Sequence, residues 1–418
     1  MGEMTSALPF SGGIFGYVRA ATGPYYGFVV ACFEIVYCLS YMVVIVYIFT
    51  LIPVVAGTVD ASYTPNLIFL TYGFVLFMNL LGGKPFWALI ALVGFTTFVL
   101  LLIFLFGVLA DVNRSNMSFT DYCQTNIPVT FESMMKERWL VDSQFQGLQY
   151  LPLLSEYVKE PRKTIPRALA VCGTEFVWFS LFVALGACSM YPGQGILQLV
   201  LTPLMFGFQQ IFTTDPTTAM WLHAPGLFAP CLAMLFCSGK QLSTISKSGM
   251  LPSFLQIKTP GTETPVVALV FAACTGTLVN LYIYYYPELD IFNQLINVIS
   301  VSVHFVFINA FVAYLLFRKK YSSMPRSFTN PFGVWGAYFG LANNVLGLVA
   351  VIIYAGAGDA SWTLIIMACY FVAASIFYWG YMVKRQTFSE EEKKLLFKAY
   401  LINGKEKSIF FYYFRLNL

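Results

Sequence analysis

Along the chain, apolar residues come in unbroken runs of about 20, separated by short stretches that collect Lys, Arg, Gly and Pro. A run of that length crosses the ~30 Å hydrocarbon core of a bilayer as an α-helix. A membrane-spanning strand would instead show about ten residues of alternating polarity. Lipid offers no hydrogen-bond partners, so only helices or closed barrels can span it, and continuous runs select helices. Ten segments fit: 25–55, 66–82, 86–110, 139–158, 167–190, 220–243, 265–286, 290–317, 333–356 and 361–383. They predict an all-α polytopic membrane domain over residues 1–384, followed by a tail over 385–418.

Two runs, 66–82 and 139–158, are weaker than the rest, and charge tests them. Lys and Arg gather in short cytoplasmic loops. With ten crossings, 21 of the 24 bases fall on one side, and only Arg114, Lys136 and Arg138 on the other. Removing 139–158 would put Lys159, Arg162, Lys163 and Arg167 on the base-poor side, so this segment is expected to cross. The base-rich side, with the C-terminal tail, is then cytoplasmic, and the plasma membrane is the expected location. Asn113-Arg-Ser and Asn116-Met-Ser, two glycosylation triplets, fall in the opposite, outer loop. Past Lys384 the tail is charged and partly amphipathic, which predicts either a short helix on the inner leaflet or a solvated tail.

Composition narrows the class. The chain is 58% hydrophobic and 11% charged, against about a quarter charged in a soluble domain, which excludes a water-soluble fold. A net charge of +4 raises nucleic acid as a partner, but the bases lie between apolar runs rather than on one face, so the bilayer is the expected partner and nucleic acid is not. Nine cysteines show no C-x-x-C spacing, and seven sit in apolar runs, where they read as small core residues. No metal and no resident cofactor are expected. No span pairs two acids or sets a nucleophile beside a base, so an enzyme is not expected either.

Candidate chemistry concentrates in 139–158, where Gly147 and Pro152 interrupt an unusually polar run. A helix broken at membrane depth exposes backbone groups and half-helix dipoles that bind ions or charged substrate groups. Running inward, the outer half would end in free carbonyls near Phe145 and Gln146, suited to an ammonium group, and the inner half would start near Leu148 with free amides, suited to an anion. An ordinary proline kink is the plainer alternative. Glu34, within CFEIVY, is an ionisable group in an apolar run, so it is a candidate for proton coupling or for facing an amine; a structural hydrogen bond to a neighbouring helix is the alternative. Glu156, Arg162 and Arg167 sit where ion pairs could close an inner gate, or serve only as topology signals. His223 and His304 read as packing histidines, and 203–212 as a short re-entrant or surface helix.

Three stretches carry a resemblance: Glu3 to Arg19 (EMTSALPFSGGIFGYVR), Gly147 to Leu169 (GLQYLPLLSEYVKEPRKTIPRAL) and Gly239 to Leu255 (GKQLSTISKSGMLPSFL). Each resembles, in order, a cytoplasmic-end motif of the amino acid–polyamine–organocation permeases. Ser6-Ala-Leu-Pro-Phe10 beside Glu34 leans toward the ethanolamine-permease-like branch. The resemblance implies an inverted-repeat fold of five plus five helices with two more, and a substrate site between broken first and sixth helices. It makes Gly147, Leu148 and Gln149, with Phe145 and Gln146, the sixth-helix share of that site, Gln149 standing where a glutamate is common. It also implies that this sequence begins within the second helix and lacks the first, leaving the family's carboxylate-binding glycine break outside it. The implied function is secondary active transport of an amino acid or small amine, with H⁺ or Na⁺ as coupling ion. A truncated, non-transporting scaffold or sensor is the alternative.

Overall fold

The computed structural model describes residues 1–109, 130–132, 134–135, 147–191, 202–354 and 360–395. In chain order these form α1 (Gly2–Ala7), α2 (Ile14–Thr22), α3 (Pro24–Val55), α4 (Thr64–Leu81), α5 (Gly83–Val108), a 3₁₀ segment (Leu148–Glu156), α6 (Pro161–Ser189), α7 (Met205–Phe212), α8 (Pro216–Trp221), α9 (Ala224–Lys247), α10 (Val266–Tyr285), α11 (Ile291–Lys320), α12 (Gly333–Tyr354) and α13 (Ala360–Gly380). Among the described residues there is no strand. Among the described residues, nine helices, α3 to α6 and α9 to α13, are long and apolar enough to cross a bilayer. The protein is an all-α, multi-pass membrane protein. Of the segment 139–158, only the part from Gly147 lies within the described residues.

The helix ends follow local chemistry. Gly23, at φ 111°, breaks the chain between α2 and α3, and Pro24 opens α3 with a ring already set for the helix. Gly82, at φ 54°, turns the chain between α4 and α5. α11 closes on Arg318, Lys319 and Lys320, which favour its negative dipole end. α6 starts at Pro161, ahead of the expected 167, because Pro161 takes a first-turn position where its missing N–H costs nothing.

α3 is the central pillar, packed against α2, α9, α10 and α11. Half of its apolar window is buried, against 6% in α5 and none in α6, so those two sit outermost and offer Leu, Phe and Trp to lipid. Small residues bring the inner helices together: a Cβ at Gly239 of α9 would stand 2.6 Å from the Leu269 side chain and 3.2 Å from its backbone on α10. Cys38, Cys231 and Cys237 are buried as expected, whereas Cys274 and Cys369 are exposed. They lie on outward faces of α10 and α13, where apolar lipid suits a thiol as well as a core does. The stretch 203–212 forms α7, whose Phe208 stacks edge-on against Phe104 of α5 at 5.7 Å. His304 bonds Asn344 across α11 and α12 at 3.2 Å, and His223 packs edge-on against Phe208; both are packing residues.

The start of the tail does not trail into solvent. It folds back under α13, with a short helix at 390–395 that presents Glu392 to Arg19 in a buried ion pair at 3.1 Å.

Candidate functional site

The turn Ser11-Gly12-Gly13 carries the chain into α2, and Gly13 adopts φ 74°, a conformation that disfavours a side chain. The turn aims the N-terminus of α2 at the flank of α3. There Glu34, 4% exposed, accepts the Phe15 N–H at 3.2 Å and the Gln241 Nε2–H at 2.9 Å on the same oxygen, Oε2. Leu153 and Gln241 lie against Gly13. One carboxyl thus joins α2, α3, α9 and the neighbourhood of the 3₁₀ segment. The free amides and positive dipole end of α2 favour a negative charge at that point.

One turn along α3, Tyr37 and Cys38 continue the same face, since residues three and four apart stand together on a helix. Tyr37 Oη accepts from Gln149 Nε2 at 2.5 Å, and its ring stacks on Tyr150 at 5.9 Å. Cys38 Sγ lies 3.2 Å from Ser238 Oγ on α9. A polar seam therefore runs through an otherwise apolar core, from Glu34 and Gln241 through Cys38 and Ser238 to Tyr37 and Gln149. The 3₁₀ segment does begin at Leu148, and Gly147 before it takes φ 113° with open space beside it. The Gly147 N–H, however, is taken by the Gln149 Oε1 at 2.9 Å, so the segment caps itself. Phe145 and Gln146 lie outside the described residues, as do Asn113 and Asn116.

At its C-terminal end, the 3₁₀ segment closes on Glu156, which gathers Lys240 at 2.5 Å, Lys247 at 3.0 Å and Lys258 at 3.3 Å. Ser11 Oγ–H also donates to it at 3.0 Å. The ion pairs expected between Glu156 and the loop after it are therefore made elsewhere. Arg162 is half-buried and lends only its carbonyl, to Ser327 Oγ, while Arg167 is exposed, and neither has an acidic partner among the described residues. The reason is directional: α6 turns its first basic residues outward, whereas Lys240 and Lys247, two turns apart on α9, point at the segment end. Both lysines stand in the third sequence motif, which held the signal. Outside the membrane, Lys258 is held well above the usual lysine range: burial opposes its charge, but the hydrogen bond to Glu263 at 2.7 Å and the charge of Glu156 prevail. Glu263 correspondingly sits below the usual carboxylate range.

Multiple apolar spans around a short, polar-lined 3₁₀ segment define a helical, multi-pass membrane protein. A profile of the family described as "Amino acid permease" matches residues 1–394, and the chain belongs to that family. It is similar to a branched-chain amino acid permease of Bacillus subtilis, 25% identical over 50% of this chain and 43% of that protein. A Schizosaccharomyces pombe protein named "Probable amino-acid permease meu22" is 21% identical over 84% of this chain and 64% of its own length. A second B. subtilis protein, named as an uncharacterized amino acid permease, is 24% identical over 70% of this chain and 68% of its own length. The chain thus spans less than two thirds of the first two relatives.

Proposed function

We propose that the protein is a secondary active permease for an amino acid or a small amine, working by alternating access at the plasma membrane with its C-terminus in the cytoplasm. Family membership supports transport, and the relatives' names support amino acids as the substrate class. The single observation that carries the mechanism is the polar seam. Polar and ionisable side chains at membrane depth are costly and mark substrate and ion paths. Gly147 to Gln149 supply the substrate-facing share, beside Tyr37. Glu34 takes and releases the coupling proton, with Gln241 and the Phe15 N–H holding its charged form; Na⁺ is the other candidate driver. Glu156 and its three lysines fasten the inner end of the same segment, which rocking must loosen.

The test is uptake of radiolabelled amino acids and amines into proteoliposomes holding the protein in its full natural length, under imposed pH or Na⁺ gradients. Saturable, gradient-driven uptake that Glu34→Gln uncouples is the expected result. A folded, monodisperse preparation that moves no member of the panel would instead assign the chain a scaffold or sensor role.

A further inference from the structure

Ser11 stands between two carboxylates that belong to different parts of the chain. Its Oγ–H points to Glu156 Oε1 at 3.0 Å and also contacts Glu391 Oε2, while its backbone N–H donates to Glu391 Oε1 at 3.0 Å. Glu156 ends the 3₁₀ segment, and Glu391 lies on the tail helix. A serine hydroxyl has one proton to give. If both carboxylates are ionised, only one receives it and the other faces an oxygen lone pair. A proton on Glu391 resolves the arrangement: Glu391 donates to Ser11 Oγ, and Ser11 donates to Glu156.

Other groups on every side fix the sign. From α9, Lys247 faces the cluster and is engaged with Glu156, as are Lys240 and Lys258. From α2, Tyr17 lies nearby, its hydroxyl bonded to Thr5. Lys393 of the tail helix pairs with Glu390 at the surface and Arg19 pairs with Glu392, so neither cation balances Glu391. Burial pushes the Glu391 carboxyl above the usual carboxylate range, and the charge of Glu156 adds to this, while the two Ser11 hydrogen bonds and Lys247 act against it.

The rest of the tail is built to dock. Ser389 and Glu392 form a reciprocal capping box, Ser389 N–H to Glu392 Oε2 at 2.8 Å and Glu392 N–H to Ser389 Oγ at 3.2 Å. Glu392 also accepts from Arg19 and from Ser248 Oγ at 2.9 Å, Thr387 N–H donates to the Ser248 carbonyl at 3.1 Å, and the Arg19 guanidinium lies 4.1 Å from the Phe388 ring centroid. The tail thus bridges α2, the end of α9 and, through Ser11, the end of the 3₁₀ segment.

We propose that Ser11, Glu156 and Glu391 form a proton-binding site that fastens the tail helix across the ends of α2, α9 and the 3₁₀ segment, so that cytoplasmic proton concentration sets how firmly this face is held shut. This rests on the permease reading for its consequence, but not for its test. A group whose docked pKa is raised favours docking when protonated. Its contribution is complete below the free-glutamate range, about 4.3, and is lost as pH rises through the higher docked value.

Hydrogen–deuterium exchange of the peptide covering 386–395, corrected for intrinsic rates, reads docking directly on the full chain in lipid nanodiscs, whether or not the preparation transports. Protection is expected to fall several-fold as pH rises from about 4, below the free-glutamate range, to 8.5. Glu391→Gln, whose amide can donate to Ser11 at any pH, is expected to stay protected throughout, while Ser11→Ala loses both protection and pH dependence. Glu390→Gln, at the exposed surface of the same helix, should behave as the unaltered protein does. Protection that does not change with pH, or a pH response that survives in Glu391→Gln, would overturn the proposal.

Discussion

Gln241 on α9 and the Phe15 N–H at the head of α2 both donate to one oxygen of Glu34, at 2.9 and 3.2 Å. Each donor loses its partner if that carboxyl goes. Glu34→Ala is therefore expected to destabilise the protein by about 1–3 kcal/mol, the desolvation penalty of orphaned buried donors. Glu34→Gln keeps the volume but cannot titrate. It should melt near the unaltered protein in detergent while losing pH-gradient-driven uptake; uptake that still follows the gradient would remove Glu34 from coupling.

Gln149 uses both ends of its amide, giving to Tyr37 and accepting from Gly147. Gln149→Ala frees the head of the 3₁₀ segment, and its main effect is expected on substrate affinity, with KM rising about tenfold. Tyr37→Phe removes the hydroxyl that accepts from Gln149. In a double-mutant cycle on uptake, the pair should couple by 0.5–3 kcal/mol, the usual range for residues in contact. Strict additivity would show that the contact carries no function.

Gly239 and Gly94 make a matched comparison. A Cβ at Gly239 meets Leu269 side chain and backbone, whereas one at Gly94 meets nothing within 4 Å. A leucine tip can move but a backbone cannot, so Gly239→Val should lower stability by about 1–3 kcal/mol. Gly94→Ala should leave it unchanged or raise it by up to about 1 kcal/mol, through helix propensity. Thermal midpoints in one detergent compare the two.

Arg19 and Glu392 form an ion pair between buried side chains. Removing one partner of such a pair ordinarily costs about 3–5 kcal/mol. Here the loss is capped by the free energy of docking, because a tail carrying an unpaired Glu392 can leave for water. Arg19→Ala is thus expected to abolish exchange protection over 386–395 while shifting the global melting midpoint by only a few degrees.

Glu3 ties α1 to the end of α11 and the loop beyond it. Burial opposes its charge, but the Tyr314 hydroxyl at 2.7 Å, the Asn330 N–H at 3.1 Å, Arg318 and Arg326 together hold its carboxyl below the usual range. A depressed folded value means this contribution is present above about pH 4.3 and is lost as pH falls through the lower folded value. Acid titration of the melting midpoint should show that loss, and Glu3→Gln should flatten it.

Much of the architecture was legible because lipid is so restrictive a solvent. Unbroken apolar runs announce α3 to α6 and α9 to α13. Glu34 and Gly147 stood out in the sequence for a related reason: a charge or a glycine in such a run contrasts with its background. What surrounds them was not legible. Nothing in CFEIVY says that Glu34 meets the head of α2, and the loop sequence made Arg162 and Arg167 appear natural partners for Glu156 when α9 supplies the lysines instead.

The sequence by itself determined that this is a multi-pass helical membrane protein, since composition and periodicity answer to the solvent and need no partner, while the three motif stretches carried the resemblance to the permeases. Only the tertiary structure decided which polar groups share a site. Hydrogen bonds and ion pairs of the kind joining Glu34 to Gln241, Gln149 to Tyr37 and Ser11 to Glu391 act over about 3 Å between residues more than a hundred positions apart. Such pairings depend on helix packing, which no local pattern along the chain encodes.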